Sequence, residues 1–280
     1  TSPAVRLVRL DLRSADAIAD LVRSVRPDRI YHLAAISHVR TSWDKRRETL
    51  ETNLMGTFHL YEAVRRFVPA ARILFVSSSD VYGYLRPGVR PHAFKEGERN
   101  GVVSPYAFTK AGGELLSELY SAWEGLDVVV ARPFPHTGPG QTADFVCSDW
   151  ARQIALIERG KLPPVINVGN LEPRRDYTDV RDVVRAYDLL MKKGVRGEVY
   201  NVASGKAPSL RSVLRTLVSF SDRRIGIRVD PDKLRKSDIL YLKEPMAEEG
   251  LALDDSIRIH ACHSPMRETE VLQDLLASKP

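Results

Sequence analysis

Cysteine is scarce. The 280-residue chain holds only Cys147 and Cys262, far apart in sequence, which excludes a disulfide framework and favours a reducing compartment. Long apolar runs are missing as well: no stretch approaches the ~20 residues needed to cross a bilayer. The opening TSPAVRLVRLDLRSADA lacks the charged, apolar and small-residue sections of a signal peptide. The expectation is a cytoplasmic protein with no membrane partner. Blocks of one charge are also absent. Lys and Arg number 42 against 36 Asp and Glu, a net +6, but the two signs are interspersed. That pattern disfavours nucleic acid and suits an anionic small molecule such as a nucleotide. There is no internal repeat and no low-complexity segment, and 43% hydrophobic with 28% charged residues is the composition of an ordinary globular enzyme.

What is present is an alternation. Short apolar runs rich in β-branched residues, AVRLVRLDL, RIYHLAA, ARILFVSSS and LDVVVARPF, are separated by amphipathic segments, SADAIADLVRSV, RETLETNLMGTFHLYEAVRRF and YAFTKAGGELLSELYSAWEG. Strand and helix in regular succession predict an α/β fold of the Rossmann type, a doubly wound parallel sheet with crossover helices and ligands at the carboxyl ends of the strands. From about Gly138 the rhythm loosens into Pro- and Gly-rich loops, with helices near DWARQIALIERG, VRDVVRAYDLLMKKG and SLRSVLRTLVSF. The expected division is a dinucleotide-binding domain over 1–137 and, over 138–280, a smaller α/β substrate lobe interleaved with the end of the sheet.

The chemistry is expected where those strands end. In SPYAFTKAGGE, Tyr106 and Lys110 share a helix face, since four residues carry the chain just past one turn. A tyrosine titrates near 10 in isolation, and a neighbouring ammonium favours the phenolate and draws that value toward working pH. Such a phenol exchanges a proton with a carbonyl or alcohol. A serine hydroxyl at the neighbouring strand end supplies a second hydrogen bond to the same oxygen. Alone, Tyr-x-x-x-Lys recurs by chance in many solvated helices.

The motifs LDL, YHLAA, NLMGT, SSSDVYG, SPYAFTK and ARPF occur in that order from Val5 to about Asp238, and in order and spacing the chain resembles the extended short-chain dehydrogenase/reductase family. The resemblance implies NADP or NAD as cofactor. It makes Tyr106 the acid/base, Lys110 the residue that tunes it and holds the nicotinamide ribose, and Ser78 the hydroxyl on the reacting oxygen. It sets Asp11, with Leu12, at the adenine, and Leu33, Ala34 and Ala35 as a wall beside the cofactor. Asn53 stands near the active site, and Pro133 and His136 lie at the nicotinamide end. In the second half, RPFPHTGPGQTADFVCSDWARQI, VGNLEPRRDYTDVRDVVRAY, GEVYNVASG and DKLRKSDI resemble the GDP-sugar branch. They most resemble its GDP-4-keto-6-deoxy-D-mannose reductases, which form GDP-D-rhamnose; GDP-mannose 4,6-dehydratase is the sister branch. A GDP-linked 6-deoxyhexose is then the expected partner, with Arg175 and Arg235 for phosphate and ribose, Phe145, Val146 and Asn170 near the nucleotide, and Ser37 and His38 near the hexose. A homodimer is expected through the helices that carry Asn53 and Tyr106.

Reductase and dehydratase share most parts. The dehydratase pattern has a Thr two residues before a Glu where this chain has Ser78 and Asp80. An aspartate is one methylene shorter and reaches less far as a general base, which favours carbonyl reduction. Three departures stand beside the resemblance. No G-x-x-G-x-x-G occurs, so the phosphate-binding turn is missing; the expectation is an N-terminally incomplete chain lacking about forty to fifty residues, with the segment from Ala4 to Leu12 left without its neighbour and dinucleotide held poorly. Pro135 replaces the branch's usual asparagine. The stretch after Asp238 lacks the expected Gly-Trp element. A non-catalytic nucleotide-sugar binder or inactive remnant stays open for these reasons. His32 reads as a packed or backbone-bonded strand residue, His260 to His263 (HACH) as no metal site without a second cluster, Arg46-Arg47 and Arg65-Arg66 as exposed helix faces, and Trp43, Trp123 and Trp150 as core or interface.

Overall fold

A computed structural model describes residues 5–83, 92–98 and 101–234. Arg235 and the HACH segment lie outside the described residues. The chain divides into two compact units. One holds residues 5–83, Phe94–Pro133 and Tyr187–Asn201, and the other holds residues 92–93, Phe134–Ala186 and the described residues from Val202 onward.

The first unit is built on a parallel sheet of order β1-β2-β3-β7, with β1 Arg29–His32, β2 Arg72–Val76, β3 Asp127–Pro133 and β7 Val199–Val202. Its helices are α1 Ala15–Val25, α2 Val39–Asp44, α3 Arg46–Thr49, α4 Gly56–Phe67 and α5 Pro105–Ala122. The α/β expectation therefore holds. Alternation along the strands sends Ile73 and Phe75 of β2 and Val128 and Val130 of β3 into one cluster with Ile18 and Val22 of α1 and Leu60, Tyr61 and Val64 of α4, the two-residue period of a strand meeting the amphipathic faces of helices. Between α3 and α4, Leu50–Met55 winds as a π-helix, so the single long helix read from RETLETNLMGTFHLYEAVRRF runs without a break and widens around Asn53. Such π segments are concentrated at functional sites.

One strand expectation fails. Val5–Leu10 has no regular secondary structure and pairs with no strand among the described residues, and Val5, Leu7 and Val8 are exposed. Strand propensity alone does not make a strand, because the ladder's hydrogen bonds need a partner. Leu10 and Leu12 still pack against the first core cluster.

In the second unit, β4 His136–Thr137 pairs parallel with β6 Thr178–Asp179, and β5 Val165–Val168 pairs parallel with β8 Gly226–Val229. Around them run α6 Val146–Glu158 and α8 Leu210–Val218, while α7 Val180–Lys193 passes from this unit into the first. Trp150, Ile154 and Ile157 of α6 meet Ile166, Val168, Leu214 and Leu217 in a separate apolar core. No helix among the described residues is long and apolar enough to cross a membrane.

Candidate active site

β2 ends at Val76, and the next residues, Ser77 and Ser78, run into a short 3-10 turn, Ser79–Tyr82. Ser78 caps that turn, its hydroxyl accepting from the Asp80 amide at 3.1 Å. The turn closes at Gly83 with φ +70°, where a Cβ would lie 1.9 Å from the Gly101 carbonyl oxygen; only glycine serves there. α5 begins with Ser104 capping it, Oγ accepting from the Ala107 amide at 3.0 Å, and proline at its first position, the sequence signature of a helix start. Tyr106 thus sits in the first turn. Its amide donates to Ser42 Oγ at 3.2 Å, and its carbonyl accepts from Thr109 Oγ1 at 2.8 Å.

Ser78, Tyr106 and Lys110 are brought together and buried. Burial pushes the Tyr106 phenol well above its ordinary value, the nearby Asp80 carboxylate pushes the same way, and a hydrogen bond from Ser78 opposes both. The expectation that Lys110 draws this phenol toward neutrality is corrected here. The ammonium turns to the Val76 carbonyl, 2.6 Å away, and lies 5.8 Å from the Tyr106 ring centroid. Burial depresses Lys110 itself to about 8, against the opposing pull of Glu114. Tyr106 is accordingly held as a protonated acid.

Around this centre, Asn53 pins the loop after β1. Its Oδ1 accepts from the Ile36 amide at 2.8 Å, and its Nδ2 donates to the Ile36 carbonyl at 3.1 Å and to Thr109 Oγ1 at 3.0 Å. One side chain therefore ties the Leu33–Ile36 loop to α5. Leu33 and Ala34 are exposed and Ala35 is half-buried, so the loop offers a ledge with little side chain in the way of a flat ligand. Lys110 has donors left over after Val76, since an ammonium carries three. This part of the chain fits the nicotinamide-ribose end of a dinucleotide, and the sequence carries no glycine turn for the pyrophosphate. Asp11 is exposed, and its carboxylate is fully engaged by Arg13 through the amide, Nε and Nη2, which holds its pKa down at about 2. Leu12 contacts Gly56, where a Cβ would meet Leu12 Cβ at 2.8 Å. Ser37 is exposed, and His38 caps α2, with Nδ1 3.0 Å from Thr41 Oγ1. Pro133 is buried at the end of β3.

Within the second unit, His136 Nδ1 donates to the Phe134 carbonyl at 3.0 Å, Phe145 and Val146 open α6, and Asn170 Oδ1 accepts from the Glu172 amide at 3.0 Å. Arg175 is half-buried, with one guanidinium nitrogen on the Arg174 carbonyl at 2.9 Å. Asp176 beside it grips the amides of Ser204 and Gly205 at 2.9 and 2.7 Å. Among the described residues no three His, Cys, Asp or Glu side chains cluster as a metal site. His32 is bonded to the Thr57 hydroxyl at 2.9 Å, not to backbone. Burial foremost, and then the charge of Lys110, bring its pKa to about 4, so it is neutral.

Sequence reasoning missed a buried network directly behind the site. Glu114 Oε1 accepts from Ser77 Oγ at 2.5 Å, and Glu114 forms a bidentate pair with Arg132, 2.8 Å on each side. Arg132 Nη1 donates to the Tyr82 hydroxyl at 3.0 Å and to the Glu96 carbonyl at 2.7 Å, and Tyr82 donates to Asn201 Oδ1 at 2.7 Å. SPYAFTKAGGE puts Glu114 one helical turn after Lys110, which marks an acidic residue on that face but neither Arg132 nor the turn it meets.

Comparison with known proteins identifies the family. The family model described as GDP-mannose 4,6 dehydratase matches residues 1–245. A GDP-6-deoxy-D-mannose reductase of Pseudomonas aeruginosa is 35% identical over 230 residues, 82% of this chain and 75% of that protein. A dTDP-glucose 4,6-dehydratase of Mycobacterium tuberculosis is 32% identical over 231 residues, 82% of this chain and 64% of that protein. The structure of RMD from Pseudomonas aeruginosa complexed with NADPH superposes with a TM-score of 0.79 at 30% identity, covering 97% of this chain and 87% of that one. The chain belongs to the GDP-mannose 4,6-dehydratase family, and with it to the NAD(P)-dependent oxidoreductases.

Proposed function

We propose that this chain reduces the C4 ketone of GDP-4-keto-6-deoxy-D-mannose to the alcohol of GDP-D-rhamnose, with NADPH or NADH as reductant. The observation that carries the reading is the meeting of Ser78, Tyr106 and Lys110 in one buried cluster at the end of β2, where the Tyr106 phenol is bonded to Ser78; a protonated phenol is the acid that a carbonyl oxygen requires as it becomes an alcohol. The similarity to the Pseudomonas reductase supports the substrate.

When bound, the reduced nicotinamide supplies the hydride; the rest falls to the chain. The Leu33–Ala35 ledge, fixed by Asn53, seats the nicotinamide end, and Lys110 holds the ribose hydroxyls with the donors that Val76 leaves free. Tyr106 gives its proton to the C4 oxygen. Ser78 donates to that oxygen as charge builds, and the Lys110 ammonium, while protonated, favours the phenolate left behind. In the second unit Arg175 serves the diphosphate, a role suited to a planar guanidinium, with Phe145, Val146 and Asn170 toward the base. Arg235, expected to share that role, is outside the described residues.

GDP-mannose 4,6-dehydration is the second reading, favoured by the nearness of Asp80 to Tyr106, which places a carboxylate beside the acid. A homodimer also belongs to the proposal. Met55, Phe58, Leu115, Leu119 and Trp123 expose apolar surface along α5 and the helix of Asn53, the kind of surface a second copy would cover. A sedimenting mass twice that of the chain tests it.

The deciding experiment is mass spectrometry of the chain incubated with GDP-4-keto-6-deoxymannose plus NADPH or NADH, and separately with GDP-mannose plus NADP. Gain of two hydrogens in the first mixture alone establishes the reductase. Loss of water in the second establishes the dehydratase, and no change in either leaves a nucleotide-sugar binder.

A further inference from the structure

The turn that carries Ser78 and Asp80 is held at both ends by one buried ion pair. Ahead of it, Ser77 donates its hydroxyl to Glu114. Behind it, Tyr82 accepts from the guanidinium of Arg132, whose ring-facing side also lies 5.0 Å over the Tyr82 ring. Glu114 and Arg132 close the circuit between these two grips, and both side chains are almost wholly inaccessible, at 2% and 1%. Nothing in the reaction needs a buried ion pair at this place, and such a pair is costly to desolvate and poor at adding stability. Its contacts are instead directed at a four-residue turn whose ends are closed by single backbone bonds, from the Val81 amide to the Ser78 carbonyl at 3.2 Å and from the Gly83 amide to the Asp80 carbonyl at 3.1 Å.

We propose that Glu114 and Arg132 are positioning residues, a clamp that sets the height and rotation of the Ser77–Tyr82 turn so that the Ser78 hydroxyl meets the Tyr106 phenol. The clamp touches neither substrate nor cofactor. It acts through Ser77 on one side and through Tyr82, braced by Asn201, on the other. Because Glu114 stands on the same helix as Tyr106 and Lys110, the turn and the helix are locked to each other and not only each to the sheet. This inference rests on the reading of Ser78 and Tyr106 as catalytic residues.

The test uses the full chain with five variants: Glu114→Gln, Ser77→Ala, Tyr82→Phe, the double variant Ser77→Ala with Tyr82→Phe, and Glu114→Gln with Ser77→Ala added. Hydrogen exchange is read at the Val81 and Gly83 amides and, as reference, at amides of the β1–β2 pair; kcat and KM are read in the reductase assay. The clamp requires exchange at the two turn amides to quicken at least tenfold in Glu114→Gln and in the double variant, with the β1–β2 amides unmoved. It also requires kcat to fall at least tenfold with KM within threefold, and no further loss when Ser77→Ala is added to Glu114→Gln, since both cut one path. Should Glu114→Gln not fold, Ser77→Ala and Tyr82→Phe, each removing a single hydroxyl, carry the test. Unchanged exchange at the turn, or a loosened turn with kcat intact, overturns the proposal. A wild-type chain inactive on every substrate refutes the reductase reading instead, and the exchange result then decides the clamp on its own.

Discussion

Lys110 donates its ammonium to the carbonyl of Val76 at 2.6 Å, so the cation expected to face Tyr106 is anchored to the end of the strand before Ser78. The anchoring fixes a charge inside protein, and the charge is expensive: burial brings Lys110 to about 8 from an ordinary value above 10. The sign of its effect on stability follows. The unfolded chain keeps this proton up to about pH 10.5, the folded chain only to about 8, so between those limits the unfolded state holds more protons and folding stability rises with pH. Below pH 8 the penalty is present in full. Lys110→Met removes it, and the wild type is expected to gain stability relative to Lys110→Met between pH 8 and 10.5. Urea midpoints of the two proteins across that range measure it, and a difference independent of pH refutes it.

Tyr106→Phe tests the acid itself. The substitution keeps the ring and its packing and deletes only the hydroxyl, so the fold should survive while proton delivery stops. A positioned general acid contributes about 10²- to 10⁴-fold, and kcat should fall by that factor with dinucleotide affinity nearly unchanged. A variant with wild-type kcat would show that the proton comes from elsewhere, and Asp80 would be the next residue to replace.

Much of this was legible in the sequence because the signals are local. The Ser104 cap, Pro105 and the one-turn spacing of Tyr106 and Lys110 fix the start of α5 and what it presents, and the β-branched runs of β2 and β3 announce buried strands. The failures are non-local. AVRLVRLDL has the composition of a strand, but pairing depends on a neighbour, and Val5–Leu10 has none among the described residues. The direction of the Lys110 ammonium and the shift of Tyr106 depend on burial and on a carbonyl from another element. No spacing along α5 reveals those. The Glu114–Arg132 pair joins residues 18 apart on a helix and a strand, and only the fold brings Ser77 and Tyr82 to either side of it.

Removing one member of that pair should be far worse than removing both. Arg132→Met leaves the buried Glu114 carboxylate without its cation, and breaking a buried ion pair in this way costs about 3–5 kcal/mol. Arg132→Met combined with Glu114→Leu leaves no orphaned charge and should recover most of that stability, though not the activity. Chemical denaturation of the single and double variants gives the comparison; equal losses would mean that the carboxylate finds water or a proton in the single variant.

Neighbouring glycines of α5 offer the last test, because they differ in what lies opposite. A Cβ on Gly113 would fall 2.2 Å from Phe75 Cζ, in the packed layer between α5 and β2, whereas one on Gly112 would meet only the tip of Leu54 at 3.0 Å. Alanine in a helix interior is favoured over glycine by about 0.5–1 kcal/mol. At Gly112 that gain has little to overcome, since the end of a leucine side chain can shift, and Gly112→Ala should be neutral or slightly stabilising. At Gly113 the methyl must displace an aromatic ring that also stacks beneath the Lys110 ammonium at 5.4 Å. Overpacking of that kind costs about 1–3 kcal/mol, so Gly113→Ala should lower the melting midpoint and, by moving Phe75 under Lys110, reduce kcat as well. If the two alanine variants melt together, α5 does not lie against β2 at the distance seen here.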